Sequence, residues 1–110
     1  MEENCLVLGA TGGIGRAIVD QLSKKGIKVS VLSRNRTKAE KYFKEFSNVK
    51  IIEGDASNSD DVENASKECT ALFYCVNTPY DQWSKTVIPL LKVSIDACTK
   101  NNVKLILLAP

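Results

Sequence analysis

Three glycines, Gly9, Gly12 and Gly15, follow the apolar run Leu6-Val7-Leu8 and lead into Ile14, Ala17, Ile18 and Leu22 at helical spacing. A strand that turns on glycine directly into a helix presents bare backbone N–H groups at the helix N-terminus, where unpaired donors and the macrodipole favour an anion. The chemistry that suits this arrangement is capture of a pyrophosphate. Gly9 permits the tight turn, Gly12 lets the backbone approach the phosphates, and Gly15 lets the helix pack close to the strand. The alternative is an ordinary strand-to-helix turn. A phosphate loop of the Gly-x-x-x-x-Gly-Lys-Ser/Thr type is excluded, because no Lys-Ser or Lys-Thr follows the glycines.

Polar residues at the ends of the later strands extend this chemistry. A dinucleotide fold that binds NAD places an acid about 20 residues past the glycines, on the adenosine ribose. The second strand, Ile27 to Ser33, instead runs into Arg34-Asn35-Arg36. Ser33, Arg34 and Arg36 offer a hydroxyl and two guanidinium groups, which suit the charge and acceptor oxygens of a 2′-phosphate. This implies NADP(H) in preference to NAD(H), with Arg34 ahead of Arg36 because it lies nearer the strand end. The alternative for both arginines is a solvated basic turn. Arg16 adds positive potential near the phosphates or is a helix-surface residue.

After the third strand, Asp55 in Gly54-Asp55-Ala56-Ser57 can accept from the adenine amine while a neighbouring N–H donates to a ring nitrogen. An Asx turn or helix cap is the competing reading. Asn77 and Thr78 follow the fourth strand, where the crevice would hold the ribose and nicotinamide, or they serve only a turn.

The elements that must position these residues alternate strictly. The first helix ends near Gly26, and the strand after it leads to a helix with Ala39, Tyr42, Phe43 and Phe46 inward. Next come a strand at Val49 to Glu53 and a short helix capped within Ser57-Asn58-Ser59-Asp60 that carries Val62, Ala65 and Cys69. A wholly apolar strand, Ala71 to Val76, precedes a long helix from about Asp81 to Lys100, with Pro89 marking a kink or a late start. Val103 to Leu108 is the fifth strand. Such alternation implies right-handed crossovers and an α/β fold: a doubly wound, Rossmann-like parallel sheet of five strands in the order 3-2-1-4-5, in three αβα layers.

Residues 1–110 are expected to form one domain, the N-terminal part of a longer protein, since a sixth strand normally follows; a natural five-stranded protein is the alternative. The apolar fifth strand would then leave an open edge and favour self-association.

A net charge of +2 with scattered lysines argues against nucleic acid or membrane as a partner. The absence of a charged-then-apolar leader points to the cytoplasm. Four cysteines, Cys5, Cys69, Cys75 and Cys98, lack C-x-x-C spacing and the chain has no histidine, so no metal site is expected. Packing is their expected role.

With the glycine spacing, the arginine after the second strand, Gly-Asp-Ala-Ser after the third and Asn after the fourth, the chain resembles the extended and atypical short-chain dehydrogenase/reductase superfamily. It is most similar to the epimerase/dehydratase-like and NmrA-like members, over essentially its whole length. The resemblance implies that Gly9, Thr11, Gly12, Gly13, Ile14 and Gly15 bind the pyrophosphate, Arg34 the 2′-phosphate, Asp55 and Ala56 the adenine, and Val76, Asn77 and Thr78 the nicotinamide side. The family's catalytic Tyr-x-x-x-Lys pair is missing: Tyr42, Tyr74 and Tyr80 are followed four residues later by Phe46, Thr78 and Ser84. No catalytic residue is therefore assigned. The expected role is the NADP(H)-binding part of an oxidoreductase or epimerase acting on an unspecified small molecule, the alternative being a non-catalytic NADP-sensing regulator of the NmrA-like type.

Overall fold

The computed structural model describes residues 3–76 and 88–108. The elements run β1 (Asn4–Leu8), α1 (Gly13–Lys24), β2 (Lys28–Ser33), α2 (Arg36–Phe43), β3 (Val49–Glu53), α3 (Ser59–Ser66), β4 (Ala71–Tyr74), α4 (Ile88–Asn101) and β5 (Lys104–Leu107). All strand pairs are parallel, in the order β3-β2-β1-β4-β5. The expected doubly wound sheet is therefore present.

Strand alternation divides the interior into two cores. Leu6, Leu8, Leu32, Leu72 and Tyr74 face α3 and α4, where they meet Val62, Ala97 and Cys98. Val7, Val29, Val31 and Cys75 face α1 and α2, against Val19, Ala39 and Phe43. β1 sits centrally and is covered on both sides, which is why Cys5 to Leu8 are apolar without alternation.

Several boundaries are tighter than the periodicity suggests. α2 ends at Phe43 and α3 at Ser66, so Phe46 and Cys69 reach the core from the turns that follow rather than from the helices. β4 ends at Tyr74, two residues short of the apolar run. Pro89 is the second residue of α4, and the earlier part of the expected long helix lies outside the described residues. Gly26 closes α1 with φ +78°, and the Gly26 and Ile27 N–H groups return to the carbonyls of Ser23 (3.0 Å) and Leu22 (3.1 Å). That pairing uses the orphan carbonyls of the last turn.

The two sheet edges differ. The Val29 N–H donates to the Asn48 carbonyl and the Gly54 N–H to Ser33, so the backbone of Ile51 points away from β2. An Arg36 guanidinium N–H donates to that outward Ile51 carbonyl at 3.4 Å, and Lys50 and Glu53 stand exposed on the same strand. On β5 the Lys104 and Leu108 N–H groups bond to β4 carbonyls or the residue before them, so Leu105 and Leu107 turn their backbone outward; Leu107 is 56% exposed.

Among the described residues no helix is long and apolar enough to cross a membrane. All four cysteines are free and buried. Burial pushes the Cys69 and Cys75 thiols from 9.0 up to about 11, and those of Cys5 and Cys98 also rise. Since folding raises these values, the neutral thiols favour the folded state fully below pH 9.0, and that contribution is lost as pH rises through about 11. A thiol reagent at pH 8 should therefore leave the folded chain unmodified and label all four sites in urea, and stability followed by circular dichroism should fall between pH 9 and 11.

Candidate functional site

The glycine turn is built by contact with its own backbone. Gly9 leaves β1 at φ +77°, and a Cβ there would lie 2.6 Å from the Cys75 carbonyl oxygen. The Gly12 N–H closes the turn on the Gly9 carbonyl at 3.2 Å. At Gly15 a Cβ would run into that same Gly9 carbonyl and sit 2.7 Å from the Ala10 Cα. These two positions need glycine for the fold itself.

Gly12 and Gly13 are different. A Cβ at Gly12 would make only an ordinary 3.5 Å contact, and one at Gly13 would meet nothing within 4 Å. Gly12 is the N-cap of α1 and supplies no side-chain cap. By contrast, the Asn35 carboxamide caps α2 by accepting from the Lys38 N–H, and Asn58 caps α3 by accepting from Asp61. The Gly13, Ile14 and Gly15 N–H groups have no partner among the described residues. Gly13 and Ile14 place theirs on an open surface, whereas Gly15 is buried against the strand end.

Beside this turn lies a cleft of about 700 Å³ at the carboxyl ends of the strands. Gly9, Ala10 and Thr11 form its floor, with Leu32, Ser33, Arg34, Asn35 and Lys38 on the β2 side. The loop after β3 contributes Gly54, Asp55, Ala56 and Ser57. Val76 and the α4 residues Pro89, Leu90 and Val93 close the far wall. This is the crevice where the strand order reverses between β1 and β4, the usual ligand position in open α/β sheets.

Of the residues expected from sequence, the cleft gathers Gly9, Thr11, Ser33, Arg34, Asp55, Ala56 and Val76. Gly12, Gly13, Ile14 and Gly15 stand at the start of α1 next to it; Gly13 borders a second groove of about 320 Å³ between α1 and α2, and Ile14 is 40% exposed. Arg36 is not among the residues that line the cleft. As the first residue of α2 it pairs with Glu40 at 2.8 Å, one turn on, and reaches over the β3 edge. Arg16 stacks its guanidinium over the Tyr42 ring at 4.1 Å, so its charge is engaged on the helix surface. Asn77 and Thr78 lie outside the described residues.

Sequence reading missed Lys38, Asn35 and the α4 wall. Lys38 follows Arg34 by four residues, a spacing that brings it back to the strand end once Asn35 caps the helix; that periodicity was the available signal. Arg34 and Lys38 form no ion pair among the described residues. Ser33 shapes the approach to them, its hydroxyl accepting from the Asn35 N–H at 3.2 Å and donating to the Asn35 carbonyl at 3.1 Å.

Asp55 does make an Asx turn: its Oδ1 accepts from the Ser57 N–H (2.8 Å) and hydroxyl (2.7 Å). These bonds, with the Arg34 charge adding to them, hold its carboxyl below the usual 3.8. Its Oδ2 and the Ala56 N–H have no partner among the described residues, leaving an acceptor and a donor on the cleft wall. No group of three or more His, Cys, Asp or Glu among the described residues could hold a metal ion.

The model of a family described as NAD(P)H-binding matches residues 9–109. The chain belongs to this NAD(P)H-binding family. Within the wider set of similar proteins, a cis-2,3-dihydrobiphenyl-2,3-diol dehydrogenase of Paraburkholderia xenovorans is 32% identical over 101 residues, covering 86% of this chain and 36% of that protein. A Rossmann-fold NAD(P)-binding family protein from Shigella flexneri superposes with TM-score 0.80 at 25% identity, over 96% of this chain and 50% of that one. The Bordetella bronchiseptica enzyme WbmG, solved with NAD and UDP, shares the fold at TM-score 0.80 and 17% identity, over 97% of this chain and 37% of that one. The NAD(P)H-binding chain thus spans between about a third and a half of the length of these proteins.

The glycine geometry predicts opposite responses within one turn. Gly15→Ala should cost about 1–3 kcal/mol through overpacking. Gly13→Ala should leave thermal stability unchanged or raise it by at most about 1 kcal/mol. Paired melting curves check both.

Proposed function

We propose that this chain is the NADP(H)-binding portion of an oxidoreductase or epimerase of the short-chain dehydrogenase/reductase type, with the catalytic pair and the substrate site supplied by other residues. The observation that carries this reading is the pair of cations, Arg34 and Lys38, that line the cleft at the carboxyl end of β2 with no ion pair among the described residues. A 2′-phosphate on the adenosine ribose would place its oxygens between them, gaining charge-assisted bonds that a ribose hydroxyl cannot give. The residues that follow β2, Arg34-Asn35-Arg36, include no carboxylate to receive the ribose diol of NAD.

The remaining groups fit the rest of a dinucleotide. The free donors of Gly13, Ile14 and Gly15 face the pyrophosphate, and the Asp55 Oδ2 with the Ala56 N–H faces the adenine amine and ring nitrogen. Val76 and the α4 residues give the nicotinamide side an apolar wall. The chain holds no Tyr-x-x-x-Lys pair, so by itself it binds cofactor without moving hydride.

Fluorescence titration tests the preference. NADPH should bind at least about tenfold tighter than NADH, the value of one or more hydrogen bonds to charged groups. Arg34→Ala should remove most of that advantage while changing NADH affinity little. Equal affinity for the two dinucleotides, or an unchanged ratio in Arg34→Ala, overturns the reading.

The open β5 edge supports a further element of the proposal, isologous pairing of two copies through Leu105 and Leu107. Sedimentation of the 110-residue chain should then show association that grows with concentration, and Leu107→Lys should abolish it.

A further inference from the structure

Asp61 lies on α3, outside the cleft lining, yet its carboxylate is spent on the cleft wall. Its Oδ2 accepts from the Asp55 N–H at 2.9 Å. The Asp61 N–H is in turn held by the Asn58 side chain at 3.0 Å, and the Asn58 N–H donates to the Asp55 carbonyl at 3.0 Å. Both backbone polar groups of Asp55 are therefore tied to the first turn of α3.

The neighbouring backbone makes room for this contact. A Cβ on Gly54 would lie 3.1 Å from Asp61 Oδ2 and 2.8 Å from the Leu32 Cδ1, so the missing side chain at residue 54 leaves room for the carboxylate beside the loop. With the Asp55 backbone fixed and its Oδ1 occupied by Ser57, only Oδ2 remains for a ligand. The adjacent Ala56 N–H is fixed with it.

We propose that Asp61 is the positioning residue that gives this wall its selectivity for adenine, by clamping the Asp55-Ala56 acceptor–donor pair in the register of the adenine amine and N1. The inference rests on the reading of the cleft as a dinucleotide site. Hypoxanthine is the informative competitor, because it presents an acceptor at position 6 and a donor at N1, the reverse of adenine. A rigid Asp55-Ala56 pair rejects it; a loose one turns or withdraws and tolerates it.

The test compares NADPH with its hypoxanthine counterpart by fluorescence titration of the chain, in the unsubstituted protein and in Asp61→Ala, with Asp61→Ser used if Asp61→Ala does not fold. Asp61→Asn is the conservative control, since its carboxamide oxygen can still accept from the Asp55 N–H. The expected result is that Asp61→Ala or Asp61→Ser lowers the adenine-over-hypoxanthine ratio about three- to tenfold, the value of one hydrogen bond, while Asp61→Asn retains it. Equal weakening of both dinucleotides, with the ratio unchanged, overturns the positioning role, as does loss of the ratio in Asp61→Asn. If the unsubstituted chain binds NADPH yet does not discriminate between the two bases, the assignment of adenine to Asp55 fails and this inference with it. Binding of neither dinucleotide overturns the cofactor reading as a whole.

Discussion

The contact between the Gly9 carbonyl and the Cα of Gly15 determines where everything else can be. It sets α1 directly against the end of β1 and fixes the direction in which the helix leaves the sheet. A Cβ on Gly15 would push the first turn of α1 off the strand end, and one on Gly9 would strike the Cys75 carbonyl. The uncommitted N–H groups would withdraw with that turn. Packing and ligand chemistry thus place different demands on one glycine-rich segment: the outer two glycines serve the fold, and the inner ones leave donors exposed.

The cleft has two kinds of polar wall. Arg34 and Lys38 on the β2 side carry charge with no ion pair among the described residues, whereas the loop after β3 is a closed set of local hydrogen bonds with one acceptor and one donor left over. The first wall can follow an anion, because both side chains are long and mobile about their stems. The second cannot, because Asp61 and Ser57 hold Asp55 at both ends. On the proposed reading, strength of attraction and exactness of shape would come from different residues of the same crevice.

Much of the fold was legible in the sequence because each element announces itself locally: glycine turns, asparagine caps, and apolar runs bounded by polar residues. The strand order followed from strict alternation and the handedness of crossovers. The site was legible where a residue type has one physical reason to be present, as at Gly9 and Gly15. It was less so where a side chain has a choice. Arg34 and Arg36 offer the same guanidinium in the sequence and differ only in distance from the strand end, yet Arg36 turns to Glu40 and the Ile51 carbonyl while α2 brings Lys38 to the cleft. Asp61 was equally silent, since an acid in the first turn of a helix is already explained by the macrodipole.

Arg36 has a second consequence through the Ile51 carbonyl. It occupies an outward acceptor on β3, and with Lys50 and Glu53 alongside it places charged side chains on the margin of the sheet nearest the β2 wall of the cleft. The opposite margin carries leucines and bare peptide groups. The two margins of the sheet therefore differ in chemistry, and a strand added beyond β5 would lie two strands away from the β1 turn and leave the loops after β2 and β3 untouched.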